Sequence, residues 1–75
     1  MSLWMYQVNI FEPMGKTGNK YPVVQHNFFG ENQQEALHFF HSHVGTDSFL
    51  REGIEKGKYR GIMLDIQYKM SKVRD

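Results

Sequence analysis

The chain has 75 residues, no cysteine, 15% aromatic residues and a formal net charge of +1 at pH 7. This length predicts one domain spanning residues 1–75, and the lack of cysteine excludes disulfides, thiolate metal sites and cysteine nucleophiles. A net charge so close to zero is far from the strong basic excess that is typical of nucleic-acid modules.

No apolar run approaches the ~20 residues that a membrane-spanning helix needs. The charged start and apolar middle of a signal peptide are also missing from the sequence. We therefore expect a cytoplasmic protein that does not associate with membranes.

The first predicted element is a strand over residues 4–11. Its residues alternate with period 2, which is typical of a strand. One side of this strand carries Trp4, Tyr6, Val8 and Ile10. Pro13 ends the strand because it has no N–H to donate, and residues 14–20 predict a hairpin connector.

A second strand is predicted over residues 21–29, and Pro22 near its start favours an edge position. The alternation fails at two places, residues 23–24 and residues 28–29. A bulge would explain this failure, and the sequence alone leaves the inward face of this strand open.

Capping signals frame the predicted helices. Asn32 is a good N-cap and Glu35 nearly completes a capping box, so a helix is expected over residues 33–44, with Gly45 as its C-cap. A short second helix is expected over residues 48–56. The sequence also allows one continuous helix that bends at Gly45.

The last strand shows the clearest pattern, because five apolar residues alternate strictly with other residues. These five are Ile62, Leu64, Ile66, Tyr68 and Met70. Together the elements predict an α+β fold, a two-layer ββαβ sandwich with a three-stranded antiparallel sheet in the order 2-1-3. One bent helix or two short helices would cover one face of this sheet.

In this arrangement the last strand is a long edge strand with one apolar side. Such edges tend to pair with another chain. The leading hypothesis is therefore a non-enzymatic accessory or regulatory protein that binds protein, as a homodimer formed through residues 62–70 or with another protein.

The alternative hypothesis is a weak nucleic-acid-binding module. Residues 51–75 carry seven basic and four acidic residues, whereas residues 1–50 carry two basic and four acidic residues. Lys and Arg can hold phosphates while an aromatic ring stacks on a base. The candidate residues are Arg51, Lys56, Lys58, Tyr59 and Arg60.

A histidine metal site is the third hypothesis. His38 and His41 can share a helix face, and Glu35 lies one turn before His38. Imidazole and carboxylate are common zinc ligands, and His26 on the second strand is a further candidate ligand. The helical spacing places His38 almost opposite the core, which favours solvated surface histidines instead.

Nothing in the sequence assembles a nucleophile, a base and an oxyanion site. Residues 15–18 contain the Gly-Lys-Thr triplet of a phosphate-binding loop, but Ile10 stands where the first glycine of that motif should fall. A strand follows where the motif needs a helix, so this segment is interpreted as a hairpin turn. We expect no enzymatic activity and no cofactor.

Residues 29–37 read Phe-Gly-Glu-Asn-Gln-Gln-Glu-Ala-Leu. The segment resembles the strand-to-helix joint of HicB-type antitoxins and of other small ββα domains, with Asn32 in place of their threonine. Small proteins of phage and mobile elements often share this build. Helix capping alone would produce the same nine-residue pattern.

Overall fold

The computed structural model describes residues 1–12 and 21–75 and shows an α+β fold. Its elements are β1 (Leu3–Phe11), β2 (Val24–Gly30), α1 (Gln33–Thr46), α2 (Ser48–Lys56), β3 (Lys58–Tyr59), β4 (Ile62–Met63) and β5 (Asp65–Arg74). The three long strands form an antiparallel sheet in the order β2-β1-β5, which confirms the predicted ββαβ class and strand order. The connector predicted over residues 14–20, including its Gly-Lys-Thr triplet, lies outside the described residues.

Alternation along β1 gives the sheet an inner and an outer face. Val8 and Ile10 are completely buried on the inner face. In β2, Phe28 is buried whereas Phe29 is 46% exposed, so Phe28 belongs to the inner face and Phe29 to the outer face. The irregularity at residues 23–24 arises because Val23 precedes the strand, although its N–H still donates to the Ile10 carbonyl at 2.8 Å.

The N-terminus of α1 is capped as predicted. Glu35 N–H donates to Asn32 Oδ1 at 2.8 Å, and the Glu35 carboxylate accepts from the N–H of Glu31 at 3.2 Å. These bonds satisfy N–H groups that have no partner within the helix.

Two helices, not one bent helix, follow β2, and the predicted cap at Gly45 is wrong. Gly45 lies within the last turn of α1, which continues to Thr46. Asp47 separates the helices because its backbone is extended, with φ −99° and ψ 105°. Its side chain caps α2 by accepting from Leu50 N–H at 3.1 Å, and Gly57 ends α2 in the left-handed conformation.

Both helices pack on the inner face of the sheet. Phe40 and Ala36 from α1 and Leu50 from α2 are buried there. Phe40 and Leu50 meet Val8, Ile10 and Phe28 in one core cluster. Burial of such apolar side chains is the main favourable term in folding, at about 25 cal/mol per Å² of apolar surface removed from water.

The last strand begins later than predicted. Ile62 and Met63 pair with β3 in a separate two-stranded hairpin, and Leu64 N–H donates to the Gly57 carbonyl at 2.8 Å. Two left-handed residues form its turn, Arg60 at φ 50° and Gly61 at φ 82°. The alternation from Ile62 to Met70 therefore continues through a change of pairing partner, from β3 to β1, that apolar spacing alone does not reveal. Strand β5 then runs to Arg74, beyond the predicted end at Met70.

Candidate functional site

The free edge of β5 is the candidate site. This strand has 10 residues and pairs with β1 along its whole length. Within residues 1–12 and 21–75, no strand pairs with its other side. An edge strand presents a row of unpaired backbone N–H and C=O groups, which is a template for another strand.

The register shows which residues direct their backbone groups to this edge. In an antiparallel strand, the N–H and C=O of one residue point to the same side. The Ile10 carbonyl faces β2, so alternate residues of β1, such as Asn9, face β5. Asn9 pairs with Gln67, so the backbone N–H and C=O of Gln67 bond β1.

Along β5, successive residues point their backbone N–H and C=O groups to opposite sides. Lys69 pairs with Gln7, which also faces β5, so Lys69 is bonded to β1 in the same manner as Gln67. The N–H and C=O of Ile66, Tyr68 and Met70 are consequently directed to the free edge. These are three of the five residues that the sequence predicts for the edge.

The inner side of the edge is apolar and incompletely covered. Helix α1 packs mainly on β1 and β2, whereas β5 packs mainly on β1. Ile66 packs against the core, but Tyr68 is 45% exposed although its ring lies 6.0 Å from the Tyr6 ring and 6.1 Å from the Phe40 ring. Burial raises the pKa of the Tyr68 hydroxyl above its ordinary value of 10.0, so this side chain is neutral at physiological pH.

The outer face of the sheet is polar and half-buried in its middle. An amide chain crosses it: Gln7 Nε2 donates to Asn27 Oδ1 at 2.9 Å, and Asn9 Nδ2 donates to Gln7 Oε1 at 3.0 Å. Gln25 Nε2 extends the chain by donating to Asn9 Oδ1 at 2.7 Å. These bonds give the amide side chains of Gln7 and Asn9 hydrogen-bond partners within the sheet.

Two of the predicted edge residues do not lie on this edge. Ile62 belongs to β4 and is 52% exposed on the hairpin. Leu64 lies between β4 and β5 and packs against the core, where its Cδ1 atom lies against Gly53 of α2. The physical reason is that the turn at residues 60–61 pairs β4 with β3, whereas β1 ends at Phe11, which pairs with Asp65.

The predicted basic cluster is spread over α2 and the β3–β4 hairpin. Lys56 pairs with Glu52 at 3.5 Å within α2. Tyr59 packs edge-on against Phe49, with ring centroids 4.4 Å apart, and the Arg60 guanidinium lies 5.2 Å from the centre of the Tyr59 ring. The aromatic ring that would stack on a base is therefore already occupied, whereas Arg51, Lys58 and Arg60 are exposed.

The predicted metal ligands do not form a site in the described part of the chain. The Glu35 carboxylate is engaged at the helix N-terminus, and His38 and His41 lie exposed beside Phe39 and Phe40. Within residues 1–12 and 21–75, no group of three or more His, Asp or Glu side chains could hold a metal ion.

The histidines that do come together are His26 and His43, with ring centroids 5.5 Å apart. His43 Nε2 lies 3.2 Å from Asp47 Oδ2, and its ring also packs on Phe28. This contact joins β2, α1 and the start of α2. Period 2 along β2 places His26 on the inner face with Phe28, but the helix residue that it meets depends on how α1 crosses β2.

Asp47 is expected to stabilise the fold through its cap on α2. The hydrogen bond from Leu50 N–H is the largest cause that lowers the pKa of Asp47 below its ordinary value of 3.8, and His43 adds to it. Loss of such a cap costs about 1 kcal/mol, so Asp47→Ala should lower Tm by about 4–8 °C at pH 7. Thermal denaturation followed by circular dichroism measures this change.

The pH dependence separates the charge of Asp47 from its cap. Because the folded-state pKa is depressed, the stabilisation is complete above the unfolded-state pKa and is lost as pH falls through the folded-state value. Asp47→Asn keeps the acceptor oxygen but not the charge, so its Tm deficit should shrink as pH falls below about 4. A deficit that is constant from pH 7 to pH 3 would contradict this account.

An open depression of about 340 Å³ lies at the N-terminus of α1. It is lined by Trp4, Asn32, Gln33 and Gln34. None of these side chains can act as an acid, base or nucleophile at neutral pH.

The fold and the edge together define a small α+β domain with an open-faced antiparallel sheet. No protein-family model, no curated protein and no solved structure matches the chain. No helix among the described residues is long and apolar enough to cross a bilayer.

Proposed function

We propose that this protein is a non-enzymatic accessory or regulatory module that acts by protein–protein interaction, with a second copy of itself as its partner. The observation that carries the proposal is the free edge of β5. Backbone groups of Ile66, Tyr68 and Met70 point to that edge, beside an apolar side that the helices leave partly open.

Two further observations support this proposal. The open depression carries no catalytic side chain, and no polar or charged side chain is buried in the described part of the chain. A cysteine-free chain also fits the reducing cytoplasm, which we propose as its location. In a symmetric dimer, the β5 edge of each copy would pair with the β5 edge of the other, because a two-fold axis brings the same surface of both copies together.

The interface would be small. Pairing of one strand from each copy lies at the low end of specific interfaces, which begin at about 1,200 Å² of total buried area. We therefore expect a reversible dimer with a Kd of about 1–100 μM. Light scattering coupled to size exclusion, over a concentration series that brackets this range, measures the association. A monomer throughout the series would refute the dimer.

Met70→Pro tests whether the edge forms the dimer. The Met70 N–H points to the free edge, so proline removes it without breaking the bonds between β5 and β1. Two intermolecular hydrogen bonds are lost by symmetry, each worth about 0.5–1.5 kcal/mol, so Kd should rise at least about fivefold. Met70→Ala is the matched control, because it shortens the same side chain but keeps the N–H. Equal effects of the two variants would contradict a role for the edge.

Nucleic-acid binding is the second proposal, because Arg51, Lys58 and Arg60 are exposed. Phosphate contacts make affinity fall steeply as salt rises. A fluorescently labelled oligonucleotide titrated at low salt should then show binding that Lys58→Gln and Arg60→Gln weaken together. An unchanged anisotropy in low salt, for both DNA and RNA, would eliminate this function.

A further inference from the structure

We infer that a second copy pairs with β5 in one particular antiparallel register, in which Tyr68 lies opposite Tyr68 of the second copy. This inference rests on the proposed dimer and goes beyond it, because an edge strand alone does not specify a register. Opposite side chains across antiparallel strands lie on the same face. In a symmetric pair, the two-fold axis must therefore pass beside one residue that lies opposite the same residue of the second copy. Four residues near the middle of β5 could occupy this position: Gln67, Tyr68, Lys69 and Met70.

A pair centred on Lys69 is unfavourable. It places two ammonium groups directly opposite each other, and like charges at such positions destabilise a sheet. The residue would also lie in a non-hydrogen-bonded pair, where Cα atoms are only about 4.5 Å apart. Its backbone groups already bond β1, so nothing at that position offsets the repulsion.

A pair centred on Gln67 is too short. It would place Asp65 opposite Lys69, which is favourable, but further pairing would need Leu64 opposite Met70. Leu64 is not available, because its N–H donates to the Gly57 carbonyl and its side chain packs in the core. The paired segment would end at Asp65, where β5 begins.

A pair centred on Met70 mismatches the side chains. It would place Ile66 opposite Arg74 and Tyr68 opposite Lys72. Lys72 is already engaged within its own chain, by an ion pair with Asp75 and by the Trp4 ring 5.8 Å away. Apolar edge residues would therefore face cations that have other partners.

The pair centred on Tyr68 avoids all three faults. Ile66 faces Met70 of the second copy, so the apolar residues meet on the inner face. On the outer face Gln67 lies opposite Lys69, and no like charges are opposed. Ile66, Tyr68 and Met70 are the residues whose backbone groups point to the edge, so each exchanges both of its hydrogen bonds with the second copy. All seven positions from 65 to 71 lie within β5.

Disulfide trapping tests the register, and the absence of native cysteine makes each introduced thiol unique. Gln67→Cys and Lys69→Cys are exposed outer-face variants that leave Tyr68 intact. In the inferred register their Cα atoms are about 4.5 Å apart across the interface, within the disulfide range of about 4.4–6.8 Å. Two copies of the same variant are diagonal neighbours about 7–8 Å apart.

We expect an equal mixture of the two variants, oxidised at a concentration where the wild type is dimeric, to give at least about fivefold more mixed than same-variant disulfide. Mass spectrometry distinguishes the products. Dominant Gln67→Cys self-linkage would replace the inferred register by the one centred on Gln67. Dominant Lys69→Cys self-linkage would also overturn it.

Asn27→Cys on the outer face of β2 is the matched control at the other edge of the sheet. It should form no disulfide with either β5 variant, and linkage to β5 would indicate head-to-tail pairing instead. A wild-type dimer with no linkage from Gln67→Cys or Lys69→Cys would overturn the register but leave association intact. A wild-type monomer would overturn both proposals.

Discussion

Gly30→Ala is expected to destabilise the fold by about 3 kcal/mol, the upper part of the range for overpacking. A Cβ atom at Gly30 would lie 2.5 Å from Ala36 N and 2.8 Å from Glu35 Cβ. The first of these is backbone of α1, so no side-chain rotation relieves the clash. The helix would have to move away from the sheet. For a domain of this size Tm should fall by about 12–24 °C.

Gly45→Ala is the matched control for this prediction. Gly45 lies in the last turn of α1, and a Cβ atom there would meet nothing within 4 Å. Alanine is a better helix former than glycine by about 0.8–1.0 kcal/mol, so this variant should be more stable than the wild type. Thermal and urea denaturation measure both variants. A Gly30→Ala protein as stable as the wild type would show that α1 does not approach β2 this closely.

Phe40→Ala is expected to cost about 3–5 kcal/mol, which is the usual range for removing a buried aromatic side chain. Phe40 is 7% exposed, and its ring centre lies 5.0 Å from that of Tyr6 and 5.6 Å from that of Phe28. The change therefore removes contacts to two strands at once. The expected loss of free energy approaches the total stability of a small domain, which is about 0.05–0.15 kcal/mol per residue.

Phe39→Ala is the matched control, on the same helix and with the same atoms removed. Phe39 is 47% exposed, and its substitution should change the free energy of unfolding by about 1 kcal/mol or less. Urea denaturation monitored by Trp4 fluorescence measures both. Similar losses for the two variants would mean that α1 packs on a different face than the structure shows.

Local rules were sufficient to predict much of this fold. The Asn32 cap, the alternation in β1 and the edge position of β2 are all local features, and the structure confirms each of them. The prediction that His38 lies almost opposite the core was also correct, since His38 is exposed and Ala36 and Phe40 are the buried residues of α1. Helix capping and side-chain periodicity depend on residues that are close in sequence, so a single sequence is enough to predict them.

The errors came from features that depend on backbone conformation. Gly45 was predicted as the C-cap because glycine is common at that position. Asp47 is instead both the C-cap of α1 and the N-cap of α2. Residues 62–64 follow the apolar alternation of β5, yet Ile62 and Met63 pair with β3, and pairing with β1 begins only at Asp65. Side-chain alternation does not reveal where a strand changes its pairing partner.

The candidate edge was predicted in part, for a similar reason. Ile66, Tyr68 and Met70 were among its predicted residues because alternation marks them as one side of a strand. Which of them direct backbone groups outward depends on the register with β1, and that is a long-range property. The pairing of His26 with His43 likewise depends on how α1 crosses β2.

Amide hydrogen exchange at two protein concentrations tests the central claim most directly. The N–H groups of Gln67 and Lys69 bond β1, so they should be protected equally at low and high concentration. Those of Ile66, Tyr68 and Met70 should exchange fast in dilute protein and become protected as concentration rises, because only the second copy bonds them. Exchange at these three residues that does not slow in concentrated protein would contradict pairing through β5.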